Sequence, residues 1–503
     1  MSRLVVLLCA GVLLLAGVPA PATGTSTGTG SPRDMLAVLI LPSDVAAARQ
    51  AIHASGGSIT AELKLGNTLA ADVPSAALTQ LETAPGIARV TVDPVLRLQA
   101  DSLDTWSQHL QSVYPRAVGA TSLWSGRSVE RGTGVGVAVL DSGIDADHPD
   151  FRDASGRSRV VRQVNAIFGQ GMRAQGDDNG HGTFVAGIIG GRGIGTPAST
   201  DDANYIGIAP EVNLISLKVS NREGVAHMSS VVTAIEWVLS HRRDYNIRVL
   251  NLSLVSSSAD SYANSVLDAA VELAWFQGVV VVVAAGNGGA HAPITAPAND
   301  PFVITVGATD DKGTAATADD RLASFSSFGP TRDGIAKPDL VAPGRHIVST
   351  VSSIDAPLAQ LFPNNLVGTE YIRLSGTSAS APVVSGVVAQ LLQARPTLKP
   401  GQVKWLLRRT AQVIPGEGTG AGYPRVDAAV RYAGPVGSTD KGLEPNTILK
   451  QAFGKQLGSG AWNAVSWDTV SWDTVSWDTV SWDAVSWDTV SWDTVSWDAV
   501  VAD

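Results

Sequence analysis

Four largely apolar runs rich in β-branched residues mark the middle of the chain: Val135–Leu140, Val249–Leu254, Val279–Ala284 and Val303–Val306. A strand with one solvated face alternates apolar with polar residues, so near-continuous runs of this kind must be covered on both faces, as in a parallel sheet between helices. Segments long enough for helices lie between them, notably Ser229–Ser240 and Ser261–Gln277. The alternation predicts an α/β unit over residues 105–433 with a doubly wound, mostly parallel sheet. In such sheets, sites form at the C-terminal ends of the strands.

The flanks follow different rules. Residues 35–94 pattern as strand (Met35–Leu41), helix (Asp44–Ser55), strand (Ser58–Leu65), strand (Thr68–Val73), helix (Ala76–Thr83) and strand (Ile87–Val92). This βαββαβ order predicts a small α+β ferredoxin-like sandwich. Residues 434–461 are rich in Gly, Pro, Ser and Lys and are expected to be a linker. Residues 462–503 repeat Trp-Asp-Thr/Ala-Val-Ser every five residues and hold eight of the 13 Trp. Five residues advance a helix by ~500°, so the Trp would wind around it and form no stripe. In a strand they would alternate faces. The tail is therefore expected to be either a low-complexity extension or a binding segment for a wall polymer or protein, since Trp joins a large apolar area to a donor.

Residues 1–22 begin with Arg3, run through Leu4–Val18 and finish in Ala20-Pro21-Ala22. That is the pattern of a cleaved signal peptide, and about 15 apolar residues fall short of the ~20 that a membrane anchor needs. Cys9, inside this segment, is the one cysteine, so no intramolecular disulfide or cysteine-based metal site is available. The net charge is −10, of which residues 456–503 contribute −8. No basic surface of the kind that displaces counterions from DNA or RNA is indicated.

Four residues stand where chemistry could be placed. Asp141 closes the run Val135–Leu140 and is followed by Ser142-Gly143-Ile144; the same triplet also makes an ordinary turn. His181 sits among small residues in Asn179-Gly180-His181-Gly182-Thr183, though a lone His is often structural. Asn287, in Ala284-Ala285-Gly286-Asn287-Gly288, could project an amide from an open loop or simply form a β-turn. Ser378, in Gly376-Thr377-Ser378-Ala379-Ser380-Ala381-Pro382, precedes the apolar segment Val383–Leu392. It could use the positive end of a helix dipole or serve only as an N-cap.

Taken in this order, the four supply every part of one machine, and the sequence resembles the subtilisin-like serine proteases, or subtilases. The resemblance runs from about Gly132 to Ala429. It includes Gly-Ile-Ala-Pro at 207–210, Asn-Leu-Ser at 251–253, Ser-Phe-Gly-Pro at 327–330, Lys-Pro-Asp at 337–339 and Ala-Pro-Gly at 342–344. It implies peptide-bond hydrolysis through an acyl-enzyme, with Ser378 as nucleophile, His181 as general base and then acid, and Asp141 orienting His181. Asn287 and the Ser378 N–H would hold the oxyanion, with no metal or organic cofactor. An alternative of another class is a surface scaffold whose Trp-rich tail does the work.

The resemblance also implies that residues 35–100 are an inhibitory propeptide, cleaved somewhere between Pro94 and Gln108. It implies an extended protein or peptide substrate flanked by Leu217–Val225 and by Ser253, Leu254, Val255 and Ser256, with Gly286 and Gly288 lining the primary pocket and Ala298 deeper in it. The family commonly has Ser-Leu-Gly-Gly where this chain has Ser253-Leu254-Val255-Ser256. Val255 should narrow that pocket or shift the strand and favour modest side chains at P1. Asp150 matches a position that binds calcium in some relatives. Here it is expected to be an ordinary solvated Asp.

Overall fold

A computed structural model describes residues 35–98, 113–125, 129–167, 176–194, 205–257, 259–290 and 292–451. The expected signal peptide and the Trp-Asp repeat lie outside these residues. Among the described residues, no helix is long and apolar enough to cross a membrane.

The N-terminal segment folds as β1 (Met35–Pro42), α1 (Val45–Ala54), β2 (Ser58–Leu63), β3 (Thr68–Pro74), α2 (Leu78–Glu82) and β4 (Ile87–Val92). The sheet order is β2-β3-β1-β4, antiparallel throughout. Its two faces have different partners, as the period of two requires. Val38, Ile40, Leu69, Ala71 and Val73 pack with Ala48, Ile52 and Leu81 of the segment's own helices. Leu39, Leu63 and Ala70 instead join the core of the large domain.

The large domain is built on β6 (Gly136–Asp141), β7 (Val160–Asn165), β8 (Asn213–Lys218), β10 (Ile247–Leu252), β12 (Val280–Ala284) and β13 (Ile304–Asp310). They lie in the order β7-β8-β6-β10-β12-β13, and every pair is parallel. A further parallel strand, Leu340–Pro343, pairs with β13. Every residue of β6, β12 and β13 is buried, as the apolar runs require. Helices α3 (His181–Gly190) and α6 (Thr377–Ala394) pack on each other, while α4 (Met228–His241) and α5 (Val266–Phe276) form a second packed pair.

Three short strands form a separate small sheet. β5 (Val95–Leu98) runs between β9 (Val225–His227) and β11 (Leu254–Ser256), antiparallel to both. The chain thus lays its own residues between the two segments expected to flank a substrate.

Residues 434–451, expected as linker, are docked on the large domain. Ile448 and Leu449 are buried and Val436 and Leu443 pack on the core. Asn446 is fully buried: its side-chain amide donates to the Tyr262 and Ser265 carbonyls, and its backbone N–H donates to Glu272 Oε2 at 2.8 Å. Trp275 Nε1 donates to Asp440 Oδ1 at 3.1 Å. Gly, Pro and Ser make up six of these 18 residues, but the spaced apolar residues supply enough burial to seat the stretch.

Candidate active site

Asp141 ends β6, and His181 opens α3. His181 Nδ1 lies 2.8 Å from Asp141 Oδ1, which also accepts the Ser142 N–H at 2.8 Å. Nδ1 is therefore the donor, which in the neutral ring leaves the lone pair on Nε2. Two glycines permit this approach. A Cβ on Gly182 would stand 2.0 Å from the Gly143 carbonyl oxygen, and one on Gly143, whose φ is +113°, would stand 2.7 Å from the Gly176 oxygen. The Asp-Ser-Gly and His-Gly-Thr triplets are thus two halves of one close contact.

Ser378 lies in the first turn of α6, which begins at Thr377, so Gly376 and not Ser378 is the N-cap. Its N–H is among the four that a helix leaves unpaired at its start. Pro382 falls inside the helix, not at its first position. Having no N–H, it cannot satisfy the carbonyl four residues back, which is that of Ser378. Ser253 Oγ donates to that carbonyl at 3.2 Å, and Ser378 Oγ donates to the Ser253 carbonyl at 3.2 Å. Asn251 holds Ser253 in place: its Nδ2 donates to Ser253 Oγ at 3.0 Å while its Oδ1 accepts from Ser385 at 2.8 Å. Ser378 is thus tied to Ser253, the residue before β11, through both its backbone and its side chain.

Asn287 Oδ1 accepts from the Thr377 N–H at 2.9 Å and from Thr377 Oγ1 at 2.8 Å. A backbone N–H can only donate, so the amide orientation is fixed, with Nδ2 turned away from Thr377. Gly286 donates its N–H to Thr377 Oγ1 at 3.1 Å and has φ of +103°. Gly288 donates to Ser327 Oγ at 3.0 Å. Ala298 is fully buried, and Thr305 Oγ1 donates to its carbonyl at 2.7 Å. Its segment is tied to β11, because Ser256 donates to the Ala296 carbonyl and Thr295 Oγ1 to the Ser256 carbonyl.

Val255 does not displace β11, which pairs Leu254, Val255 and Ser256 with Leu98, Arg97 and Leu96 in regular register. Leu96 is fully buried in the main core, and Leu98 packs against it. With this strand in place, His181 and Ser378 are 1% and 2% exposed, so the cleft is covered.

The N-terminal segment holds the large domain by polar contacts as well. Asp93 Oδ2 accepts from Ser229 Oγ at 2.7 Å at the start of α4, where a helix favours an anion. Burial pushes the Asp93 carboxyl up, against the hydrogen bond from Ser229 and the charge of His227. Glu236 Oε1 accepts the Leu65 N–H at 3.1 Å, and burial pushes the Glu236 carboxyl up to about 7. Arg89 donates to the Asn264 carbonyl at 3.1 Å.

Asp150 is not solvated. It is fully buried, and its carboxylate accepts from the Gly193 N–H at 3.0 Å, the Ile194 N–H at 2.8 Å and Tyr371 Oη at 3.0 Å. Three hydrogens are thus aimed at its two oxygens. The sequence expectation missed this because Asp150 meets Tyr371 only through the fold.

Comparison with known proteins places these features in one family. Residues 132–454, well over half of the chain, match the profile described as Subtilase family. Serine protease AprX of Bacillus subtilis (strain 168) is 39% identical over 284 residues, covering 55% of this chain and 61% of AprX. Subtilisin E of the same organism is 30% identical over 369 residues, covering 73% of this chain and 81% of subtilisin E. Among solved structures, fervidolysin from Fervidobacterium pennivorans, described as a keratinolytic enzyme related to subtilisin, aligns with a TM-score of 0.61 at 25% identity. That alignment covers 81% of this chain and 63% of fervidolysin. The chain belongs to the subtilase family.

Proposed function

We propose that this chain is an exported serine endopeptidase, made as a zymogen whose residues 35–100 inhibit it until they are cut away. Ser378 Oγ attacks the scissile carbonyl while His181 Nε2 takes its proton, and Asp141 steadies the imidazolium that forms. The oxyanion is held by Asn287 Nδ2 and the Ser378 N–H, two donors already fixed before charge develops. His181 then returns the proton to the leaving amine, and water releases the acyl group by the same steps. Hydrophobic residues 4–18 carry the export reading.

The observation that supports this best is strand β5. An extended peptide already pairs on both edges within the cleft, by the backbone pairing through which a strand is added to exposed edges. The opposite position on β11 advances from Leu254 toward Ser253, which is bonded to Ser378. The chain is therefore expected to cut itself within the few residues after Leu98.

The test combines fluorophosphonate labelling, intact mass and N-terminal sequencing of the purified protein and of Ser378→Ala. Wild type should take the label at Ser378 and lose its N-terminus to just past Leu98. The variant should keep residues 35–98 joined. If both stay unlabelled and equally long, the protease reading falls, and the scaffold reading built on the tail replaces it.

A further inference from the structure

Asp177 was not singled out by the sequence, yet it meets both sides of the Asp141–His181 contact. Its Oδ1 accepts from Ser142 Oγ at 2.8 Å, the Asn179 N–H at 3.1 Å and the Gly180 N–H at 2.8 Å. Its Oδ2 accepts from the Thr183 N–H at 2.8 Å and Thr183 Oγ1 at 2.7 Å. Ser142 is the neighbour of Asp141, and Thr183 lies two residues past His181. The loop is closed by the Gly182 N–H, which donates to Ser142 Oγ at 2.9 Å. Five donors from the strand end and from the start of α3 thus converge on one carboxylate.

The helix start explains why a carboxylate stands there. Gly180, the residue before α3, has no side chain to cap it, so the first-turn N–H groups need an outside acceptor. An anion at this end also meets the positive pole of the helix. A cap alone, however, would need no bond to Ser142. The Ser142 arm fixes the turn that carries Asp141 to the turn that carries His181.

We propose that Asp177 is a positioning residue for catalysis, a clamp that sets the Asp141–His181 pair in register by holding Ser142 and Thr183 on one carboxylate. The inference rests on the protease reading above. Asp177→Asn keeps an oxygen for Ser142, Asn179 and Gly180 but turns an NH2 group toward the Thr183 N–H, so it cuts one arm with little change of volume. Ser142→Ala cuts the other.

Both variants are made in the full chain and assayed on a peptide substrate, with active sites counted by fluorophosphonate titration. Misplacing the base by a fraction of an ångström lowers turnover without touching the substrate strands. Asp177→Asn should lower kcat per titrated site by about 10–100-fold, with KM within about twofold, and slow fluorophosphonate labelling of Ser378 in proportion. Ser142→Ala should show a smaller loss with the same split. Asp147→Asn, an exposed acid nearby, should match wild type and so exclude a simple charge effect.

A purely structural Asp177 would lower the melting temperature and the titrated fraction while leaving kcat per site and the labelling rate at wild-type values; that result overturns the clamp. If Asp177→Asn does not fold, Ser142→Ala decides by the same two readouts. A wild type that takes no label overturns the protease reading and the clamp with it. A wild type that labels beside variants that label equally fast overturns the clamp alone.

Discussion

The N-terminal sandwich and the large domain are both organised around a sheet, but they close their cores in opposite ways. In the large domain β6, β12 and β13 are buried from end to end. In the sandwich, β2 and β4 are mostly exposed or half-buried, and the self-contained core is eight residues. The remaining apolar face, with Leu39, Leu63 and Ala70, is completed only by its neighbour. A unit of about 60 residues buries too small a share of its surface to be robust alone. The difference teaches that one region carries its stability within itself while the other borrows it, which suits the removal proposed for residues 35–100.

The largest expected effect separates chemistry from docking. Ser378→Ala should lower hydrolysis about a million-fold and leave the two regions joined in one chain, as read by mass and by peptide turnover. Asn287→Ala should lower kcat by about 10²–10³-fold at nearly constant KM, because it removes a donor that acts on the transition state. In that variant, self-cleavage should slow while the sandwich stays seated.

The next effect loosens the borrowed face. Asp93→Ala strips α4 of its anion and leaves Ser229 without that partner, a loss of about 1–3 kcal/mol, or roughly 5–150-fold faster release after cleavage. The delay before hydrolysis begins reads this directly. Glu236 adds a pH dependence of known sign. Burial raises its carboxyl from 4.5 to about 7 in the docked state, against the Leu65 N–H and the Lys64 charge. Docking therefore favours the protonated group: its contribution is full below the ordinary value and is lost as pH rises through about 7. The delay should shorten as pH rises from about 4.5 to about 7 and level off above that, and Glu236→Gln should flatten that dependence. The smallest effect concerns selectivity. Val255→Gly should raise cleavage after Phe or Tyr relative to Ala by about tenfold in a peptide library, and a wild type that already cleaves all three alike would remove the role given to Val255.

Much of this architecture was legible because burial on both faces writes itself into consecutive residues. The runs beginning at Val135, Val279 and Val303 became β6, β12 and β13, and the alternating pattern of residues 35–94 became the sandwich. The Asp141–His181 pairing was legible through short motifs whose glycines mark close approach. What stayed hidden was polar and long-range. Asp177 meets Ser142 across 35 positions, Thr377 meets Asn287 across 90 and Asn251 meets Ser385 across 134, and no local pattern marks such partners. Asp150 looked like any surface acid until Tyr371 arrived from 221 residues away. The docking of residues 434–451 was masked by composition, since a few well-spaced apolar side chains outweigh the Gly and Pro around them.

The seat of Asn446 also decides what travels with what. Its amide and backbone are fastened to Tyr262, Ser265 and Glu272, all on the large domain, the body that would remain under the proposed removal of residues 35–100. Under that proposal, any cargo appended beyond Gln451 is rooted on the large domain, not on the N-terminal piece. A reporter fused there would stay with the working enzyme through processing, and one fused ahead of Met35 would leave with the waste.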